Sequence, residues 1–231
     1  MTDYTLYYWP VPFRGQFIRA ILSCAGKTWD EPDVGPLMEQ APEKQPVPFM
    51  GPPVLIDHGN GFKLSEMPAI AFYLGETLGL LPKDTPGKAM TIKVVCDAND
   101  VIDEVTIDGG REMWTTQSWK DFTPRLKRWM AIFEATGRHN GLKPDEGFLL
   151  GGEAPGVADI VTATLWGTMI DRFPAIGEIL QDAAPAVAGL TARMMATKPF
   201  EDLMADTNTR FGDAYCGGQI EASLRKVLKP S

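Results

Sequence analysis

The spacing of apolar residues along this chain of 231 residues is that of an α/β unit at first and of helices beyond it. Aromatic and β-branched residues at 4–9 predict a strand, which Pro10 ends because proline has no N–H for a sheet ladder. Apolar residues three and four positions apart then predict a helix that includes 17–24 and ends at Gly26. The proline-rich segment 30–48 is predicted to be irregular, with at most one short helix.

Two strands and a helix complete this first unit. The runs 54–57 and 62–64 are predicted strands, joined through His58-Gly59-Asn60-Gly61, whose glycines permit the positive φ of a hairpin connection. A helix over Pro68–Leu78 follows, with an apolar stripe on one face. This order of strands and helices is typical of a thioredoxin-like layer, so the predicted fold class of the first unit is α/β.

The remainder of the chain is predicted to be all-α. Prolines and glycines interrupt the periodicity just after the last helix of the first unit, which marks a linker. We therefore expect a first domain over residues 1–79, a linker over 80–87 and a helical domain over 88–231. A bundle of about five or six helices fits residues 88–205, whereas the tail 206–231 has no clear partner face.

One helix of the second domain has a clear N-terminal signal. Apolar residues from Val157 to Met169 lie on one stripe, and Gly156 precedes them as a candidate N-cap. Asp159 falls in the first turn, where a negative charge suits the helix dipole. The pattern therefore predicts a helix that begins just after Gly156.

Composition and charge exclude several classes of function. No apolar run approaches the roughly 20 residues of a membrane span, and the start of the sequence lacks a signal-peptide pattern, so we expect a cytoplasmic protein. The net charge of -8 repels phosphate backbones, so nucleic acid is not an expected partner. Cys24, Cys96 and Cys216 are too scattered for a zinc site or a disulfide framework, and no metal is expected.

The most informative part of the chain lies between residues 50 and 74. Here Gly51-Pro52-Pro53-Val54-Leu55-Ile56 enters one strand, and Leu64-Ser65-Glu66-Met67-Pro68-Ala69-Ile70 leads from the next strand into a helix. Together with Tyr8-Trp9-Pro10, these runs resemble the sequences of cytosolic glutathione transferases, which combine a thioredoxin-like domain with an all-helical one. The tyrosine is similar to that of Tyr-type members (the Sigma, Mu, Pi and Alpha classes), and we interpret the chain as a divergent, bacterial-like member. The resemblance implies a detoxification enzyme that conjugates the glutathione thiolate to hydrophobic electrophiles.

The same resemblance implies a catalytic role for Tyr8. Its hydroxyl would donate a hydrogen bond to the sulfur of glutathione and so favour the thiolate. Tyr7 points to the opposite face of the sheet by strand alternation and remains the alternative. The chain departs from the family here, because Pro12 and Phe13 are inserted before the Arg14-Gly15 pair that opens the helix.

The resemblance also implies which residues bind glutathione, the co-substrate. Pro53 matches the family's cis-proline, and the residue before it presents its backbone to the cysteinyl part. Here that residue is Pro52, which has a carbonyl but no N–H. Glu66 matches the residue that receives the γ-glutamyl ammonium. Met67 replaces the hydroxyl residue that binds the γ-glutamyl carboxylate, so only its backbone N–H at the helix start remains for that contact.

Two further matches lie on other segments. Lys44 matches a lysine that meets the glycyl carboxylate, with a solvated loop lysine as the alternative. Asp100 matches an acidic residue that reaches the glutathione of the neighbouring subunit, so the resemblance implies a homodimer. The electrophile is expected beside the tyrosine loop and the first helices of the second domain. Its candidate residues are Trp9, Phe13, Met113, Trp114 and Phe211, with Tyr215 as an alternative to Phe211.

Two other interpretations stay open at this point. One is another glutathione-dependent enzyme on the same fold, such as an isomerase, a peroxidase or an ether-cleaving enzyme. The other is a non-catalytic transferase-like protein that binds partners or hydrophobic ligands, which Pro52 and Met67 favour because each removes one of the family's contacts to glutathione.

Overall fold

The first domain is a mixed sheet combined with helices, as predicted. The computed structural model describes residues 2–229, apart from the side chain of Asp108. In chain order the first domain contains β1 (Tyr4–Tyr7), α1 (Phe13–Cys24), β2 (Trp29–Asp30), α2 (Gly35–Met38), a 3-10 helix (Pro42–Lys44), β3 (Val54–Asp57), β4 (Lys63–Ser65) and α3 (Met67–Thr77). The thioredoxin-like α/β class is therefore confirmed.

The strands form one sheet in the order β2-β1-β3-β4. β1 runs parallel to β2 and antiparallel to β3, and β3 runs antiparallel to β4. β1 ends at Tyr7 rather than at the predicted residue 9, because its partner β3 begins opposite it at Val54 and the two prolines before Val54 offer no N–H. β2 was not predicted, since two residues are too few to show an alternating pattern.

The second domain is built from helices alone in the part of the chain that the structure describes. It contains α4 (Thr85–Val105), α5 (Ile107–Gly110), α6 (Thr116–His139), α7 (Val157–Arg172), α8 (Ala175–Ala183), α9 (Pro185–Met195), α10 (Lys198–Phe211) and α11 (Gly218–Val227). The all-α class predicted for this domain is confirmed. None of the helices within residues 2–229 is long and apolar enough to cross a membrane.

α4 begins inside the segment that was predicted as linker. The Asp84 carboxylate accepts a hydrogen bond from the Gly87 N–H at 2.8 Å, which is the bond of an N-cap. Pro86 lies in the first turn, where a missing N–H costs nothing because that group has no partner within the helix. The residues that interrupt the periodicity therefore serve as the start of a long helix.

α7 lies at the centre of the molecule and joins the two domains. Its residues from Val157 to Met169 are buried, and it packs against α1 of the first domain as well as α4 and α9 of the second. It begins where the sequence predicts: the Asp159 carboxylate accepts hydrogen bonds from the N–H groups of Gly156, at 2.9 Å, and Leu149, at 2.7 Å. Because α7 is buried on all sides, apolar residues occur around its whole circumference as well as on the predicted stripe.

The C-terminal tail packs against the loop that follows β1, so the expectation that it has no partner face does not hold. The Glu221 carboxylate accepts hydrogen bonds from the backbone N–H groups of Tyr215, Cys216 and Gly217, at 2.9, 3.0 and 2.6 Å. This folds the segment before α11 around one carboxylate. The carbonyl of Tyr215 in turn accepts a hydrogen bond from the N–H of Phe13 at 3.2 Å. The partner of the tail therefore lies about 200 positions away in the sequence, where periodicity carries no signal.

Candidate functional site

The strand register brings three of the predicted site residues to one edge of the sheet. The last residue of β1 lies opposite Val54, the first residue of β3, and Val54 lies opposite the last residue of β4. Because neighbouring strands here are antiparallel, the residues just beyond this edge are Tyr8, Pro53 and Glu66. Adjacent strands lie about 4.8 Å apart, so the three residues leave the sheet within about 10 Å of one another.

Tyr8 is held tightly between the sheet and α1. Its side chain is 6% exposed, and its hydroxyl accepts a hydrogen bond from the backbone N–H of Arg14 at 3.0 Å. A Cβ atom at Gly15 would collide with the Tyr8 ring, so the first turn of α1 approaches the ring closely only because glycine stands there. The phenol therefore has one position, fixed by the helix that follows it.

The protonation state of Tyr8 suits a hydrogen-bond donor. Burial raises the pKa of the Tyr8 phenol to about 12, and the charge and backbone N–H of Arg14 offset only part of that rise. The phenol consequently keeps its proton at neutral pH. The Arg14 N–H occupies an acceptor position of the oxygen, and no acceptor for the O–H proton is found among the side chains and backbone groups that the structure describes. That proton is therefore available to a ligand that reaches the hydroxyl. The alternative, Tyr7, is half-buried at the end of β1 and is more exposed than Tyr8.

Arg14 ties the loop after Tyr8 to the second domain. Its Nε donates to Oδ1 of Asn99 at 3.1 Å, and its guanidinium forms an ion pair with Asp103. The same guanidinium lies 4.9 Å from the ring centroid of Phe13, whose φ of 31° is unusual for a residue other than glycine. Asn99 and Asp103 were not predicted as site residues from the sequence. Their spacing of four residues, on one face of a helix beside Asp100, is the signal that could have found them.

The predicted glutathione-binding backbone at Pro52–Pro53 and Glu66, called the ledge below, has two unusual features. The Pro52–Pro53 peptide bond is cis. Glu66 has φ 75° and ψ 120° in the residue immediately before α3, and its side chain is exposed. A positive φ is uncommon for glutamate and is tolerated where the surrounding structure imposes it, often at ligand sites. The conformation turns the chain sharply from β4 into α3.

Met67 occupies the position of the family's hydroxyl residue, but its side chain is buried. Its side chain is fully buried in the hydrophobic core, so it is not accessible to a ligand. α3 begins at Met67 without a side-chain cap, and Pro68 contributes no N–H. The backbone N–H groups of Met67 and Ala69 have no partner within α3, and of these two residues Ala69 is exposed whereas Met67 is fully buried.

Lys44 and Asp100 lie on other elements of the chain. Lys44 is an exposed residue at the end of the 3-10 helix. Asp100 is an exposed residue of α4, next to Asn99, which binds Arg14. Partial burial, and after it the carboxylates of Asp97 and Asp103, raise the pKa of Asp100.

Three of the predicted electrophile residues lie near the loop or the tail. Trp9 is 41% exposed on the loop itself. The Phe13 ring meets the Tyr215 ring edge to face, with centroids 5.6 Å apart. Met113 lines a cavity of about 440 Å³ between the end of α5 and the segment 216–220 of the tail. Residues of the tail thus pack against Phe13 of the loop and line the cavity beside Met113.

The other two predicted electrophile residues are engaged in packing. Trp114 is 8% exposed and donates its indole N–H to the Val105 carbonyl at 2.8 Å. Phe211 lies against the guanidinium groups of Arg19 and Arg210, each 4.8 Å from its ring centroid. The structure therefore does not bring all five candidates to one surface.

Comparison with known proteins agrees with this architecture. A family model described as glutathione S-transferase, C-terminal domain, matches residues 90–227. The chain therefore belongs to the glutathione S-transferase family. No curated protein matches the sequence significantly.

Solved structures of the family share the fold at low sequence identity. Monomeric Na-GST-3, from the hookworm Necator americanus, is 18% identical with a TM-score of 0.71, and the alignment covers 88% of this chain and 97% of that one. A Nu-class enzyme from Haemonchus contortus is 20% identical with a TM-score of 0.69, over 91% of this chain and 98% of that one. A family member from Pseudomonas fluorescens Pf-5, determined with two glutathione molecules bound, is 22% identical with a TM-score of 0.66, over 88% and 92%. The two-domain fold is thus that of glutathione transferases.

Proposed function

We propose that this protein is a Tyr-type glutathione transferase, in which Tyr8 stabilises the thiolate of glutathione for attack on a hydrophobic electrophile. The observation that carries the proposal is the register that places Tyr8, Pro53 and Glu66 at one edge of the sheet. A phenol with a free proton, a proline-flanked backbone and an exposed carboxylate are thereby presented to one small ligand. The glutathione bound to the Pseudomonas fluorescens relative supports the choice of that ligand.

Each part of glutathione finds a complementary group in this arrangement. The Glu66 carboxylate pairs with the γ-glutamyl ammonium, and the first-turn N–H groups of α3 meet the γ-glutamyl carboxylate. The carbonyl of Pro52 accepts the backbone N–H of the cysteinyl residue. Lys44, from its exposed position, pairs with the glycyl carboxylate. This binding places the cysteinyl sulfur beside the residue that follows β1, which is Tyr8.

The chemical step needs an ionised sulfur. An ordinary thiol, with a pKa of about 8.5, is only a few per cent ionised at neutral pH. The O–H of Tyr8 donates a hydrogen bond to the sulfur. This favours the thiolate because such a hydrogen bond stabilises an anionic sulfur more than a neutral thiol. The thiolate then forms a bond to an electrophilic carbon. With an aryl halide, the carbon–halogen bond breaks and the halide leaves with its electron pair, while the thiol proton goes to solvent.

The proposed electrophile rests on exposed apolar surface, and the proposed assembly rests on the family resemblance. The exposed Trp9, the half-buried Phe13 and the cavity beside Met113 offer apolar surface, which suits a hydrophobic electrophile. A homodimer, with Asp100 directed to the partner's glutathione, would match the family resemblance, and a role in cytoplasmic detoxification follows from the same proposal. Na-GST-3 is described as monomeric, so the fold by itself does not require a dimer.

The experiment is conjugation of glutathione to a generic aryl halide by the wild type, Tyr8→Phe and Tyr7→Phe. Tyr8→Phe keeps the ring against Gly15 but removes the hydroxyl, so we expect kcat to fall on the order of a hundredfold. Tyr7→Phe is the matched control, from which we expect wild-type rates. Equal losses in the two variants, or no loss in either, would reject the role of Tyr8.

A binding protein of the same fold is the second candidate, and two observations favour it. Pro52 provides no N–H to glutathione, and the buried side chain of Met67 provides no hydroxyl. Each missing hydrogen bond weakens binding by on the order of 1 kcal/mol. Retention of folded wild-type protein on immobilised glutathione separates the candidates, because a protein that has lost glutathione binding passes through the column.

A further inference from the structure

Arg19 is a fully buried cation beneath the loop that joins β1 to α1. Its Nε and Nη2 donate to the two carboxylate oxygens of Glu31, at 2.9 and 2.8 Å. The remaining nitrogen, Nη1, donates to the backbone carbonyls of Val11 and Pro12, at 3.1 and 3.2 Å. All three guanidinium nitrogens therefore have partners, and one of them holds the loop.

The Glu31 end of this contact is itself firmly fixed. Glu31 also accepts hydrogen bonds from Arg210 of α10, at 2.9 Å, and from the indole N–H of Trp29, at 2.7 Å. Burial alone would raise the pKa of the Glu31 carboxyl, but the donors of Arg19 and Arg210 prevail and lower it to about 2. The carboxylate stays charged at neutral pH, so it keeps the Arg19 guanidinium in one orientation.

The prolines of the loop leave its backbone with few N–H groups for hydrogen bonds. Pro10 and Pro12 contribute no N–H, and Pro12, the N-cap of α1, forms no side-chain cap bond. Arg19 donates to the carbonyls of two consecutive residues, Val11 and Pro12, and the Pro12 carbonyl also accepts the Gln16 N–H at 2.9 Å. The loop carries Tyr8 at one end and Arg14 at the other, and these two residues are joined by the hydrogen bond between the Arg14 N–H and the Tyr8 hydroxyl. The Arg19 guanidinium also lies 5.7 Å from the ring centroid of Tyr8.

We propose that Arg19 is a positioning residue for the reaction: by holding the carbonyls of Val11 and Pro12 it fixes the connection from Tyr8 to Arg14 and directs the Tyr8 hydroxyl at the sulfur of glutathione. This inference rests on the proposed function. Arg19 lies beneath the loop and touches neither the ledge nor the first turn of α3, so its effect is on the orientation of Tyr8 and not on the binding of glutathione.

The test compares Arg19→Lys with Arg210→Gln. Lysine keeps the charge but lacks the planar fork that serves Glu31 and two carbonyls together. Arg210→Gln removes a partner of the same carboxylate but leaves both loop contacts, so it controls for general damage to the network. Two quantities are measured: the steady-state constants for glutathione and an aryl halide, and the hydrogen exchange of the backbone amides of the non-proline residues within 9–15.

We expect Arg19→Lys to lower kcat on the order of tenfold while KM for glutathione stays near the wild-type value, because a small displacement of a catalytic group affects the chemical step most. The Arg14 amide should exchange faster, since its acceptor, the Tyr8 hydroxyl, is no longer held in place. Arg210→Gln should match the wild type in both measurements. Equal kcat losses in the two variants, or unchanged exchange of the loop in Arg19→Lys, would overturn the proposal.

If Arg19→Lys does not fold, the double variant Arg19→Gln with Glu31→Gln replaces it, since that pair is uncharged and loses the same loop contacts. The same results are expected from it. A wild type that binds no glutathione would refute the proposed function. In that case the exchange of the loop amides still decides whether Arg19 fixes the connection.

Discussion

The Tyr8 hydroxyl accepts the Arg14 N–H at 3.0 Å, and this bond decides which way its own proton points. The raised pKa keeps that proton in place at neutral pH, so the group acts as a donor to a ligand and not as a base. Met67, in contrast to Tyr8, provides no side-chain donor to a ligand. Its side chain is buried in the core, so only backbone groups are left at the start of α3 to bind a ligand.

The burial of Met67 makes a specific prediction for Met67→Ser. The change restores the hydroxyl residue of the family, but it removes a fully buried side chain. We expect a loss of about 2–4 kcal/mol in the free energy of unfolding, because a cavity is left and a hydroxyl is buried. Glutathione affinity should not improve. The measurements are urea unfolding and calorimetric titration with glutathione.

Met67→Leu is the control for this prediction. It conserves most of the volume and should cost less than about 1.5 kcal/mol. A Met67→Ser protein with wild-type stability and tighter glutathione binding would show that the side chain faces the ligand.

At the scale of elements, Glu31 connects three parts of the chain. It follows β2, it pairs with Arg19 of α1, and it pairs with Arg210 of α10. A buried carboxylate between two arginines gains its stability from being ionised, so its contribution must depend on pH.

This dependence can be measured. The pKa of Glu31 is lowered from 4.5 to about 2, so its contribution is fully present above about pH 4.5 and is lost as the pH falls towards about 2. The loss amounts to about 3 kcal/mol over that window. We expect the difference in unfolding free energy between the wild type and Glu31→Gln to shrink accordingly as the pH is lowered. A difference that stays constant from about pH 5 to about pH 3 would show that the carboxyl is not stabilised as an anion.

Local signals predicted most elements, and long-range contacts account for what was missed. β1, β3, β4, α1, α3 and the start of α7 each carry their own periodicity, turn or cap. The two-residue β2 exists only because it pairs with β1, and the tail packs only because the loop after β1 meets it. The same reason applies to the site. Tyr8, Pro53 and Glu66 follow from local runs. Asn99 and Asp103 share one helix face by their spacing, but nothing local indicates that Arg14 is their partner. Arg19 acts through Glu31 and the loop carbonyls, to which no spacing rule connects it.

At the scale of the whole molecule, the candidate site belongs to the first domain but is held by the second. α7 packs against both domains, Arg14 reaches α4, and the Tyr215 carbonyl accepts the Phe13 N–H. The loop after Tyr8 is therefore fixed by groups from α1, α4 and the tail together. The membership of the chain in the glutathione S-transferase family gives this arrangement its proposed ligand.

The measurement that tests the proposed chemistry most directly is the ultraviolet absorbance of the thiolate as the glutathione complex is titrated with alkali. In the wild type, we expect the bound thiol to ionise about 2 pH units below the value of about 8.5 for a free thiol. In Tyr8→Phe, with glutathione still bound, ionisation should return close to the free value. The same titration midpoint in both proteins would contradict the role assigned to Tyr8.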